Sequence, residues 1–202
     1  MSVSAQDLLD KIDKALLISS QAASKTYTVD IASQALEALA QTSDNVTSLF
    51  SQAVEKIQSF DFTGAGAWIV PAILAPLATD STYLRDQKNQ IVQSGVAPSG
   101  QQMYGWTQVA LTDARARLAQ LIEVEKSWYF KIFSALGNAL QVVADTLDAF
   151  MKLLKRLLLL TTTLIYLGIA VAVGVGGYIV YQVAKPKVGQ LVASGRRRLK
   201  AA

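Results

Sequence analysis

The chain is predicted to be all-α, built from long amphipathic, coiled-coil-like helices with a transmembrane helix near its C-terminus. Three observations predict it: an uncharged run of 28 residues from Leu157 to Ala184, apolar residues recurring at steps of three and four through most of the rest, and the absence of proline from Met1 to Val70 and from Trp106 to Lys185. The 202 residues are 51% hydrophobic and 17% charged, whereas a typical globular domain carries about a quarter charged residues. That balance leans toward a membrane and excludes a wholly disordered chain.

Ser4 and Asp7 mark a helix start, followed by a stripe at Leu8, Ile12 and Ala15 or Leu16. From Val29 the stripe becomes a seam. Val29, Ala32, Leu36, Leu39, Ser43, Val46, Phe50, Ala53, Ile57 and Phe60 alternate steps of three and four, the a/d pattern of a coiled coil. One long helix is permitted, or two with a joint between Ser20 and Tyr27. The Ala and Ser knobs bury less area per turn than Leu, which favours packing within the chain or a sizeable assembly over a lone dimer. This N-terminal helical region covers residues 1–61.

Residues 62–103 form a hydrophobic Gly- and Pro-containing segment, a short helix and a loop. Phe62 to Thr79 is a second uncharged run, of 18 residues. Pro71 and Pro76 break helix hydrogen bonds there, so it reads as a buried turn between helices or as a segment that enters a bilayer through Trp68, Ile69, Val70, Ile73 and Leu74. Asp80 or Ser81 caps a helix through Gln93, and Ser94 to Gln102 reads as a loop. Gly95 and Gly100 have the spacing of a phosphate-binding loop, but Gln101 and Gln102 stand where Lys and Ser/Thr are required. Nucleotide binding is therefore not expected.

Residues 104–156 are expected to form one long amphipathic helix, with a bend at Gly137 allowed. Its stripe runs through Leu111, Ala114, Leu118, Leu121, Trp128, Ile132, Leu136, Leu140, Val143, Leu147, Phe150 and Leu154, and is interrupted by Glu125. The aromatic cluster of Trp128, Tyr129, Phe130 and Phe133 reads as core or helix contact, and Asp145 and Asp148 as a solvated or lysine-paired surface.

The run 157–184 is the predicted membrane helix. At 1.5 Å per residue it would reach about 42 Å, against roughly 30 Å of hydrocarbon. Gly168, Ala172 and Gly176, with Ala170 and Gly174 nearby, make a small-residue face suited to close helix packing. The tail 185–202 holds Lys185, Lys187, Arg196, Arg197, Arg198 and Lys200 and no acid, so it is +6 in a chain whose net charge is +4. Those cations suit anionic headgroups, the phosphates of non-specifically bound nucleic acid, or simply a flank that fixes topology.

With neither Cys nor His, thiolate nucleophiles, Cys/His metal ligation and His-based acid–base chemistry are excluded, and no enzyme, cofactor or metal is expected. Met1 to Asp13 lacks the pattern of a cleavable signal peptide. The expected partners are a lipid bilayer and either further copies or other helical proteins. The expected role is that of a non-enzymatic, single-span structural protein in a membrane-bearing assembly, a virion membrane or a bacterial inner membrane. An oligomeric conduit or membrane-perforating protein and a cellular membrane tether are the alternatives.

Overall fold

The computed structural model describes residues 3–59, 80–128 and 132–159. Every regular element among them is a helix: α1 (Ala5–Ala22), α2 (Val29–Ser59), α3 (Ser81–Ser94), α4 (Gly100–Trp128), the single turn α5 (Ile132–Ala135) and α6 (137–159). The all-α expectation holds for these residues. Positions 157–158 pack with the bundle, and the chain beyond belongs to a second compact unit starting at Leu159.

Local sequence starts the first four helices. At α1, the Ser4 Oγ accepts from the Asp7 N–H and the Asp7 carboxylate accepts from the Ser4 N–H, a reciprocal capping box. Thr28 Oγ1 accepts from the Ile31 N–H at α2, and Asp80 Oδ1 from the Tyr83 N–H at α3. Ser99 and Gln102 repeat the box at α4, with N–H to side-chain distances of 2.9 and 3.2 Å. Gln102, out of place in a phosphate loop, is thus a capping residue. Gly95 ends α3 in the left-handed conformation at φ +66°, its N–H reaching the Ile91 carbonyl.

The order of the helices follows from their register. Arg115 pairs with Asp13, and residues 122–126 of α4 lie beside residues 3–6, so α1 and α4 are antiparallel. Lys88 and Arg85 on α3 pair with Glu37 and Asp44 on α2, making that pair antiparallel too. Gly137 and Leu140 lie beside Val3 to Gln6, and Lys11 Nζ donates to Asp148 at 2.6 Å, so α6 runs parallel to α1. The turn α5 sits near the N-terminal end of α1 yet also touches α2, so α2 must fold back alongside α1. The result is an up-down-up-down-up bundle. The turns 23–28 and 95–99 meet at one end, called the joint end here, joined by an isolated antiparallel bridge between Thr26 and Ser99.

Close approach governs that end. A Cβ on Gly100 would stand well inside contact distance of the Ala23 carbonyl oxygen and 2.7 Å from that of Lys25. Both neighbours are backbone, so neither can swing away. Tyr27 fills the joint at 3% exposure, and burial pushes its phenol up to about 12. The neutral form is therefore favoured in the fold, and ionisation weakens the joint only as pH rises above the ordinary tyrosine value of about 10.

The single helix expected over 104–156 is not what forms. Helix begins four residues earlier, at Gly100, and the chain reverses between α4 and α6. Every residue of the predicted stripe outside Trp128, whose side chain is not described, is nonetheless buried. Both arms of a reversal bury the same stripe, so periodicity alone cannot reveal the turn. Glu125, the apparent interruption, accepts from the Phe133 N–H at 3.3 Å across the reversal. Leu157 is 3% exposed within the core, so the uncharged run begins inside protein and not in lipid.

Gly100→Ala is expected to destabilise the fold by roughly 1 to 3 kcal/mol through overpacking. Gly105→Ala, in the same helix with nothing within 4 Å of the added Cβ, is expected to be neutral or stabilising by up to about 1 kcal/mol. Paired urea denaturation curves measure the contrast.

Candidate functional site

The seam predicted on α2 is inside the molecule. Leu36, Leu39, Val46, Phe50 and Ile57 are between 0% and 8% exposed, and Val29 is partly buried against the same core. Their partners are α3, α4 and α5 of the same chain. Ala32, Ala35, Ala38 and Ala40 are buried as well, and such small side chains let neighbouring helices approach α2 closely. Thr42, also buried, returns its hydroxyl to the Ala38 carbonyl at 2.8 Å. The seam is satisfied by packing within the chain.

Fixed charges then pin the helices. Glu37 accepts from Lys88 at 2.8 Å, and Asp44 from Arg85 at 2.7 Å. The Lys88 hydrogen bond holds the Glu37 carboxyl below its ordinary range. The bond that Arg85 donates to Asp44 raises the Arg85 pKa, and the bonds that Arg115 donates to Asp13 raise that of Arg115. Inside α4, Arg117 is 8% exposed and makes a two-bond fork with Asp113. The i, i+4 spacing of Asp113 and Arg117 is a legible signal. The long-range pairs are not, because sequence spacing carries no information about which helix faces which. Asp148 is lysine-paired, as the sequence suggests, and Asp145 accepts from Gln141.

At the end opposite the joint, a cleft of about 460 Å³ opens between the start of α1, the end of α4, and α5 with the first turn of α6. Its walls are mixed. Ile122, Phe133 and Leu140 provide apolar surface, while Gln6 donates to Asp10, Glu125 accepts from Phe133, and Lys126 donates to Glu123. These polar groups are already engaged with protein, which suits the cleft to an apolar side chain more than to chemistry. No group of three or more His, Cys, Asp or Glu among the described residues has a metal-holding arrangement.

The joint end has a different character. The chain carries no charge from Asn89 to Thr112, and Val96 at the turn is 69% exposed, with Leu17 at 59% and Val92 at 55% nearby. Lys152, Lys155 and Arg156 are exposed on the last turns of α6, which the register brings to the same end, and Lys25 lies in the turn itself. Near the tip, Lys88 is engaged by Glu37, and Asp30 lies in the first turn of α2.

No described helix is long and apolar enough to cross a membrane. The predicted inserting residues Trp68, Ile69, Val70, Ile73 and Leu74 lie outside the described residues, as do Gly168, Ala170, Ala172, Gly174 and Gly176 and the tail cations Lys185, Lys187, Arg196, Arg197, Arg198 and Lys200.

Because the seam is spent inside the chain, Leu39→Ala is expected to cost about 2 to 5 kcal/mol of folding stability while leaving the oligomeric mass unchanged. Thermal unfolding and light scattering in mild detergent check the two halves of that statement. Comparison with protein-family models, with curated proteins and with solved structures finds no match, so function is argued from the chain's own residues.

Proposed function

We propose that this chain is a non-enzymatic, membrane-anchored structural protein of a membrane-bearing assembly, such as a lipid-containing virion. The observation that carries the reading is the uncharged run ending at Ala184, bounded by Arg156 and by the basic tail that starts at Lys185. Residues 159–184 as a helix would reach about 39 Å, enough to cross roughly 30 Å of hydrocarbon with some tilt. Gly168, Ala172 and Gly176 then supply a face for close packing against another membrane helix. The tail cations sit at the headgroups beyond the span, or on the nucleic acid of the assembly.

In this reading the bundle is a self-contained head that presents surface to partner proteins. A conduit assembled by aligning seams from several copies is less favoured, because the α2 seam is already occupied by the chain's own helices. The tether reading shares the anchor and differs in setting: a structural protein follows the lipid-bearing particle through purification, and a tether stays with cellular membranes.

The anchor is tested with the full chain carrying both Ala172→Arg and Gly176→Arg. Each arginine near the centre of a span costs about 2.5 to 3.5 kcal/mol of insertion free energy. Wild type is expected to float with vesicles and resist alkaline carbonate extraction, and the double variant is expected to be extracted. Equal retention of both would contradict the anchor.

A further inference from the structure

We infer that the groove between α1 and α6, in its half toward the joint end, is a basic strip that holds the phosphate backbone of double-stranded nucleic acid. The inference concerns the bundle alone and stands whether or not residues 159–184 span a membrane.

The first ground is the segregation of the cations. Among the described residues, Lys11, Arg85, Lys88, Arg115, Arg117 and Lys126 are each held in an ion pair, whereas Lys14, Lys25, Lys56, Lys152, Lys155 and Arg156 are in none. The register gathers Lys14, Lys152, Lys155 and Arg156 in one place. Lys11 faces α6 through Asp148 at 2.6 Å, and Lys14 follows it by one helical turn on the same side of α1. Lys152 and Lys155 follow Asp148 by one and two turns, so both stay on the side of α6 that meets α1, and Arg156 lies one turn beyond Lys152. All four are exposed. Because the two helices run parallel, the four lie between about 4 and 12 Å above the Lys11–Asp148 pair, by the helical rise.

Acids border the strip without entering it. Asp148 is matched by Lys11, Asp13 is held by Arg115 on the α4 side of α1, and Asp113 is forked by Arg117 within α4. Asp10 and Asp145 lie just below the Lys11–Asp148 pair and accept from Gln6 and Gln141. Above, Lys25 stands in the turn and Asp30 in the first turn of α2, while Asp86 and the Lys88–Glu37 pair belong to α3 and α2. With Lys25 included, the cations outnumber Asp10, Asp30 and Asp145 together.

The second ground is the match to a linear polyanion. Each strand of a DNA duplex passes one phosphate per about 3.4 Å of axis, so the strip, lengthened by its long side chains, faces about three phosphates. Neither helix exposes an aromatic ring: α1 contains none, and Phe150 of α6 is 0% exposed. Bases therefore have nothing to stack on, and contact is with the backbone alone. A helix that enters lipid headgroups sets a row of Leu, Phe or Trp beside its cations. Here α6 exposes no large apolar side chain between Asp148 and Leu158, and α1 exposes Leu17 alone. Ser20 and Gln21, also exposed, are hydrogen-bonding groups suited to phosphate oxygens. That composition favours a nucleic-acid backbone over a bilayer surface.

The test measures binding of the full-length protein, in mild detergent, to a fluorescent DNA duplex of about 20 base pairs by anisotropy, over about 50 to 200 mM salt. Three proteins are compared: wild type, a variant with Lys14→Gln, Lys152→Gln, Lys155→Gln and Arg156→Gln, and one with Lys14→Arg, Lys152→Arg and Lys155→Arg. The basic tail is the same in all three, so its contribution cancels in the comparison. Thermal unfolding is expected to be unchanged, since none of the four side chains makes an ion pair. The Gln variant is expected to bind at least about tenfold more weakly at 100 mM salt, with a plot of log affinity against log salt shallower by about 3. The Arg variant is expected to keep the wild-type affinity and slope. No binding by wild type, or equal affinity and slope for the Gln variant, would overturn the inference. A Gln variant that keeps its DNA binding but no longer floats with phosphatidylglycerol vesicles would overturn it in favour of a lipid surface.

Discussion

The meeting of two turns at one end of the bundle sets the register of everything else. Gly100 comes against the carbonyls of Ala23 and Lys25, and Thr26 bridges to Ser99. A larger residue at 100 would push α4 away from the end of α1. With the turns locked, α4 descends along α1 so that Arg115 reaches Asp13, and α3 lies along α2 so that Lys88 and Arg85 reach Glu37 and Asp44. These surface pairs are each worth about 1 kcal/mol or less. They report the register more than they create it. The buried leucines and alanines that the register brings together supply the stabilisation, by removal of apolar area from water.

Small residues on α2 explain why a coiled-coil pattern ends as a bundle inside one chain. Between Ala35 and Ser43 nearly the whole circumference of α2 is buried. A helix buried on several sides needs several neighbours, and α3, α4 and α5 provide them. A two-stranded coil would have covered only one seam. The polar members tolerate burial by local means: Thr42 and Thr107 each return a hydroxyl to the carbonyl four residues back.

Much of this was legible in the residues. The Ser4–Asp7 box and the buried seam follow from local pattern, because caps and periodicity are short-range properties, while the joint between Ser20 and Tyr27 and the cap at Asp80 are each one of two alternatives that the pattern permits. The reversal after Trp128 was not legible, since its two arms continue one stripe and no proline or glycine pair marks the turn. Glu125 was visible only as an interruption, its role depending on a backbone N–H eight residues away. Gln102 was visible as the wrong residue for a phosphate loop, and its capping role needed the helix start to be placed at Gly100. The charged network across helices was hidden for the same reason as the helix neighbours themselves. At the joint end, Lys152, Lys155 and Arg156 could be read directly from the sequence, while Val96 and Leu17 joined them only once the helices had directions.

The architecture of the bundle turns on the direction of α6, which runs parallel to α1. The most direct measurement is a pair of spin-label distances in the full-length protein in detergent, taken between Arg156→Cys and either Gln21→Cys or Gln6→Cys. A parallel α1 and α6 predict a short distance to position 21 and one about 20 Å longer to position 6, from the helical rise between them. Equal distances, or a shorter one to position 6, would contradict the parallel arrangement and with it the up-down-up-down-up bundle.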